Sequence, residues 1–309
     1  MLDAVVAFFL LGIISQLLGA KLNFPEGLYK FLSMFLMIAI GLKGGIALQQ
    51  HVDPVLLPMS LAVIAFGLLL PLIAFPILRY VGEFNRIDAG AIAAHYGSVS
   101  VATYAVAVSL LDAKNIEYEA YFPLFVVLLE MPAIIVGLIL ARGSLASINA
   151  TFVKKELVAN QSILLMLGSL LIAYFAGESV NKLQPFFIDL FSGVLALFLL
   201  KMGLIAGEQL KKLKRDSVFL VSFGVFMPMV GGLAGLGLGY VLQFSAGGLA
   251  LMAVLGASAS YIAVPAAMKE SLPEANAGIS ITSSLGISFP FNVVFVVPFF
   301  IALAQFLRA

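Results

Sequence analysis

Five hydroxyl residues stand in two tight groups inside otherwise apolar sequence. Ser98, Ser100 and Thr103 follow Gly97, and Ser258 and Ser260 lie in Gly256-Ala257-Ser258-Ala259-Ser260-Tyr261, with Pro265 just beyond. Glycine, serine and proline in such density weaken a helix, so each group reads as a break in mid-helix. A broken helix offers amides at one stump, which favour an anion, and carbonyls at the other, which favour a cation. In a bilayer, unwound backbone is tolerated only where protein or a water-filled cavity satisfies it. Two breaks meeting at the midplane would make an ion site, whereas one such group alone would equally serve close helix packing. Their related placement in the chain favours the site. Ser98, Ser100, Thr103, Gly256, Ala257, Ser258, Ser260 and Tyr261 are therefore the candidate substrate-binding residues.

A second kind of chemistry comes from charge in apolar surroundings. Glu130, in Leu129-Glu130-Met131-Pro132, lies near mid-membrane, where a carboxylate costs on the order of 3 kcal/mol. It is the candidate ligand for a coupling ion or carrier of a proton, against a structural carboxylate satisfied by a neighbouring helix. Lys43 follows Lys30 by 13 residues, or roughly 20 Å of helix. It either snorkels outward or supplies a fixed positive charge near the anion. Lys201 is expected to snorkel toward the opposite interface. Ser60, Asn276 and Asn292 read as interhelical hydrogen-bond donors, and Asn292, two residues after Pro290, is the most site-like. His95 reads as a satisfied core histidine rather than a proton relay. There is no His-Glu-x-x-His pair, no glycine-rich phosphate loop and no poised carboxylate pair, so no enzyme is expected.

These residues need membrane helices to position them. Hydrophobic residues make up 62% of the 309-residue chain and charged residues 11%, where soluble proteins carry about a quarter charged; mean hydropathy is +1.12. Spans of about 20 apolar residues fall at 2–20, 29–48, 55–80, 89–111 and 121–140, then at 162–177, 186–206, 218–242, 247–268 and 279–303. The fold expected is thus all-α, with about ten transmembrane helices of which the fourth and ninth are broken. The chain starts at Met1 and Asp3 without the charged region of a signal peptide, so the first span reads as retained. Twelve lysines and arginines (Lys21, Lys30, Arg79, Arg86, Arg142, Lys154, Lys155, Lys211, Lys212, Lys214, Arg215 and Lys269) fall in alternate loops against three (Lys114, Lys182 and Arg308) in the others. The positive side faces the cytoplasm, so both termini are expected outside. A net charge of +1 without a long basic run gives no footprint for nucleic acid, and the absence of cysteine excludes disulfides and thiolate metal sites.

The two halves match. Gly41-Leu42-Lys43-Gly44-Gly45 aligns with Gly203-Leu204-Ile205-Ala206-Gly207, Tyr80-Val81-Gly82-Glu83-Phe84 with Tyr240-Val241-Leu242-Gln243-Phe244, and Ser98-Val99-Ser100 with Ser258-Ala259-Ser260, at offsets of 162, 160 and 160. Two such halves of five helices each form an inverted repeat: residues 1–141, a cytoplasmic connector at 142–161 with Lys154-Lys155-Glu156 on an interfacial helix, and residues 162–309.

Phe24-Pro25-Glu26 and Ile40 to Ala47, Ser98 to Pro132 with Ile116-Glu117-Tyr118-Glu119-Ala120 and Glu130-Met131-Pro132, and Gly256 to Pro298 with Leu272-Pro273-Glu274-Ala275-Asn276 together resemble the sodium-dependent bicarbonate transporters of cyanobacteria. The resemblance implies a homotrimeric permease of the bacterial inner membrane, with bicarbonate between the two breaks and a sodium ion near Ser100, Thr103 and Ser260. The chain departs from that pattern. The family's Ser-Gly-Ser-Thr is Ser100-Val101-Ala102-Thr103 here, and its Ser-Ser-Ser-Asp is Ser258-Ala259-Ser260-Tyr261, which lacks the carboxylate expected to hold sodium. Lys43 stands where the family has threonine, and its ammonium in place of the missing cation would give proton-coupled or uncoupled transport; the substituted glycines and aspartate make another small anion or carboxylate the alternative substrate. A non-transporting membrane interaction protein is the alternative outside transport; tight packing by Val101, Tyr104 and Tyr261 would favour it. The long acidic, serine-rich loop of some members is absent, so their regulatory partner is not expected.

Overall fold

The computed structural model describes residues 3–20, 22, 24–50, 55–144, 160–212 and 218–308. Among these residues the secondary structure is helical throughout, without a strand. In chain order the helices are α1 (Ala4–Leu17), α2 (Glu26–Gln50), α3 (Leu56–Val81), α4 (Arg86–His95), α5 (Val101–Ala113), α6 (Phe122–Arg142), α7 (Gln161–Ala176), α8 (Phe191–Lys212), α9 (Val218–Val241), α10 (Ala246–Ala257), α11 (Ala263–Ser271) and α12 (Ala277–Arg308). Seven helical stretches in the described residues are long and apolar enough to cross a membrane, and α1, α5 and α10 are shorter apolar helices. Large side chains such as Leu57, Leu61, Phe175 and Val241 are exposed. In water these would be a severe liability; against lipid they are matched.

Short polar side chains start the helices. Asp3 accepts the Val5 amide at 2.9 Å, Asn85 that of Asp88 at 2.9 Å, and Ser245 that of Gly248 at 3.1 Å, each satisfying an amide the first turn leaves over. Glycine then sets how closely the helices pack. A methyl group on Gly12 or Gly203 would run into the facing backbone where α1 crosses α8, as it would on Gly231 or Gly256 between α9 and α10. Such contact of bare backbones is how helices associate in lipid, where apolar burial gives little preference for protein over membrane.

The turn between α3 and α4 and the turn between α9 and α10 share one conformation. Glu83 and Gln243 take positive φ of 56° and 60°, and Asn85 and Ser245 follow with φ −59° and ψ of 161° and 172°. These are segments that match in the sequence at an offset of 160.

Several elements differ from their expected bounds. The spans expected at 89–111 and 247–268 are each two helices, separated at 96–100 and 258–262. α6 carries an interruption at Met131 that no reading of the sequence anticipated; Pro132 has no amide to continue the ladder. α12 runs on to Arg308 and widens at Thr282–Ser288 and Asn292–Val296, around Pro290 and Pro298. α8 starts at Phe191 rather than Phe186, because residues Gly177–Leu183 and Gln184–Phe187 form a tight turn and a single helical turn before it. Most of the connector, with Lys154-Lys155-Glu156, lies outside the described residues, as do Lys21, Lys214 and Arg215.

Candidate functional site

The two breaks touch. Ser100 donates its amide to Ser258 Oγ at 3.2 Å, and Ser260 donates its amide to the His95 carbonyl at 3.0 Å. His95 Nδ1 returns to the Ser260 carbonyl at 2.5 Å. Each break is also anchored to a third helix. Ser98 Oγ donates to the Glu130 carbonyl at 3.0 Å, beside the interruption in α6, and Asn292 Nδ2 donates to the Ala257 carbonyl at 2.9 Å from the widened part of α12. Ser100 caps α5 by accepting the Thr103 amide at 3.2 Å, and Ser258 Oγ donates to Leu255 at 2.8 Å.

A cavity of about 20 Å³ lies at this junction, lined among others by Ser33, Ser100, Glu130, Ser162, Ser260 and Tyr261. It has room for about one water-sized group. The Tyr261 hydroxyl faces Ser100 without completing a bond of normal geometry, and Thr103 Oγ1 and Asn292 Oδ1, which do not line the cavity, are likewise buried without a hydrogen-bond partner. Glu130 is 3% exposed and supplies the carboxylate of the cavity wall. Of the residues singled out in the sequence, Ser100, Ser260, Tyr261 and Glu130 share this wall. Ser98, Thr103, Ala257, Ser258 and Asn292 hold the breaks from behind. Gly256 is a packing contact for Gly231.

Lys43 is elsewhere. Its ammonium meets Asp112 at 2.9 Å and sits 4.7 Å from the centre of the Phe191 ring. It borders a separate cavity of about 190 Å³ with Tyr104, Tyr118 and Pro123. Tyr118 donates to the same Asp112 at 3.2 Å; burial, then the nearby carboxylate, push its phenol above the usual range and keep it protonated. A third cavity of about 420 Å³ lies along α4 and α11, bordered by His95, Lys269 and Ser280. One large cavity therefore follows the helix before the first break and the other follows the helix after it, and the small one lies between. Lys201 rests 5.9 Å from the centre of the Phe24 ring, and the Asn276 side chain accepts the Gly278 and Ile279 amides to cap α12 while its backbone amide donates to Asp88 on α4 at 2.7 Å.

Several participants were not anticipated. Ser33 and Ser162 are single serines in apolar helices and carry no spacing signal. Tyr96 bonds Ser283 Oγ at 2.6 Å and Ser288 Oγ at 2.8 Å, and Ser288 donates to Gly224 at 2.7 Å. Ser288 spends its proton on that carbonyl, so Tyr96 donates to Ser288 and Ser283 donates to Tyr96. The chain ties α4, α9 and α12 together behind the first break.

Apolar helices throughout, two of them broken at one buried polar junction with a cavity along either side, define a multi-pass membrane protein of the transporter class. A family profile settles which: residues 4–305 match the Na+-dependent bicarbonate transporter superfamily. The chain belongs to that superfamily, a family of transporters and not of enzymes. No individual curated protein matches it.

Proposed function

We propose that the chain is a secondary transporter that carries bicarbonate, or a monoanion of similar size, across the bacterial inner membrane together with sodium. The observation that carries this reading is the cavity at the junction. Its lining includes the hydroxyl residues Ser33, Ser100, Ser162, Ser260 and Tyr261 and the carboxyl residue Glu130, among apolar neighbours such as Met37 and Ile262, and a single hard cation prefers oxygens of that kind. Glu130 then supplies the negative charge that Tyr261, standing where relatives are expected to carry an acidic residue, does not. The anion binds at the stumps of α5 and α11, where helix N-termini present amides, with Ser98, Ser100, Thr103, Gly256, Ala257, Ser258 and Ser260 around it. The small cavity does not admit a four-atom anion beside a cation, so the junction is closed in this conformation. Transport opens it alternately to the Lys43 and the Lys269 cavity.

The architecture for that movement is an inverted repeat of ten spans, residues 1–141 and 162–309 about a cytoplasmic connector at 142–161, with both termini outside and three copies in the assembly. The shared turns at Glu83 and Gln243 support the repeat, as does the reciprocal packing of α1 on α8 and α7 on α2. The tight burial of Tyr104 and Tyr261 favours a second reading, a non-transporting membrane interaction protein of the same fold.

Thermal unfolding of the purified protein separates the two. A ligand that binds only the native state raises Tm, and coupled ligands raise it together. Sodium bicarbonate is expected to stabilise more than sodium chloride and potassium bicarbonate do in sum. Identical curves in all three salts would favour the second reading.

A further inference from the structure

His95 ends α4 and is 1% exposed. Ser260 engages it twice, by donating an amide to its carbonyl and by placing a carbonyl 2.5 Å from Nδ1. A carbonyl oxygen only accepts, so Nδ1 must carry the ring proton. In the neutral ring Nε2 is then a bare acceptor, and it is buried without a hydrogen-bond partner. The ring borders the cavity of about 420 Å³ along α4 and α11, where the other polar side chains are Lys269 and Ser280. The remaining lining comes from residues such as Met268, Leu272 and Ile281, none of which offers a side-chain proton.

An unfilled acceptor is an odd fixture on an anion route, because anions are held by donors. It discriminates, however, among anions of one charge and shape. Bicarbonate is a planar monoanion with an O–H to give; nitrate is a planar monoanion with none. We propose that His95 is a specificity-determining residue whose Nε2, closed off in this conformation, accepts the hydroxyl proton of the transported monoanion when the junction opens to the α4–α11 cavity. Lys269, exposed at this cavity, draws the negative charge in. A protonless anion drawn in the same way faces the imidazole lone pair and leaves it unmet. The inference rests on the transport reading above and adds how the substrate is told from its isosteres.

The test is uptake of labelled bicarbonate by proteoliposomes of the full chain in competition with nitrate, in the native protein and in two variants. His95→Asn keeps an amide donor for the Ser260 carbonyl but has no atom at the position of Nε2. His95→Gln reaches that position with an acceptor oxygen. In the native chain, half-inhibition is expected to need about 100-fold more nitrate than unlabelled bicarbonate, since a site built to bond a substrate hydroxyl rejects analogues lacking it strongly. In His95→Asn the ratio is expected to fall to about 3-fold or less, and His95→Gln is expected to recover part of it. Nitrate competing as well as bicarbonate in the native chain would overturn the inference whether or not the variants fold. So would a native-like ratio in His95→Asn. Bicarbonate uptake with no discrimination removes this inference alone, whereas no bicarbonate uptake by the native chain removes the transport reading as well.

Discussion

The two breaks use similar residues and are held differently. At the first, Ser100 caps its own helix, accepting the Thr103 amide at 3.2 Å in extended backbone. At the second, α11 begins after Ile262 without a cap from that residue's side chain, and Ser260 Oγ receives the Val264 amide only at 3.4 Å. The first is anchored through Ser98 to the interruption in α6, next to Glu130; the second hangs from Asn292 on α12. On the transport reading proposed above, the first break is the fixed wall of the junction, beside the Glu130 side chain, and the less firmly capped second break is the side that rearranges around an anion.

The sharpest way to break this comparison is to remove the charge. Glu130→Gln is expected to weaken sodium dependence by about 100-fold or more, the scale of 3 kcal/mol lost when one member of a buried charge pair disappears; sodium titration of bicarbonate uptake reads it. Asn292→Leu leaves the Ala257 carbonyl buried without its donor and is expected to cost about 1–3 kcal/mol, seen as a lowered unfolding midpoint. Ser100→Ala removes a helix cap and is expected to cost about 1 kcal/mol. Ser260→Ala is expected to cost about half of that, while both lower uptake. Equal stability losses would remove the distinction between a fixed and a yielding break. The smallest effect is expected at Lys43→Ala. Its pair with Asp112 is partly exposed, with side chains 25% and 43% accessible, and such pairs contribute about 0.5 kcal/mol or less.

The unequal legibility of these features has physical causes. The breaks were readable because glycine, serine and proline are conspicuous within apolar runs. The shared turns at Glu83 and Gln243 are legible too, in segments that match at an offset of 160. The Lys43–Asp112 pair spans 69 residues of sequence, and no local pattern reports a partner at that distance. Ser33 and Ser162 come to the cavity through packing alone. The start of α8 is not legible, because Phe186 and Phe187 look like the beginning of a span. They instead pack on Phe35, with ring centroids 5.3 and 5.2 Å away, in the turn that precedes the helix.

The central claim is that sodium and a bicarbonate-sized anion share the junction of the two breaks. Labelled bicarbonate uptake into proteoliposomes, with and without an inward sodium gradient, tests it most directly when Ser100→Ala and Ser260→Ala are run beside the native chain. The account predicts sodium-dependent uptake in the native protein and its loss in both variants. Uptake indifferent to sodium, or unchanged when both hydroxyls are removed in turn, would contradict it.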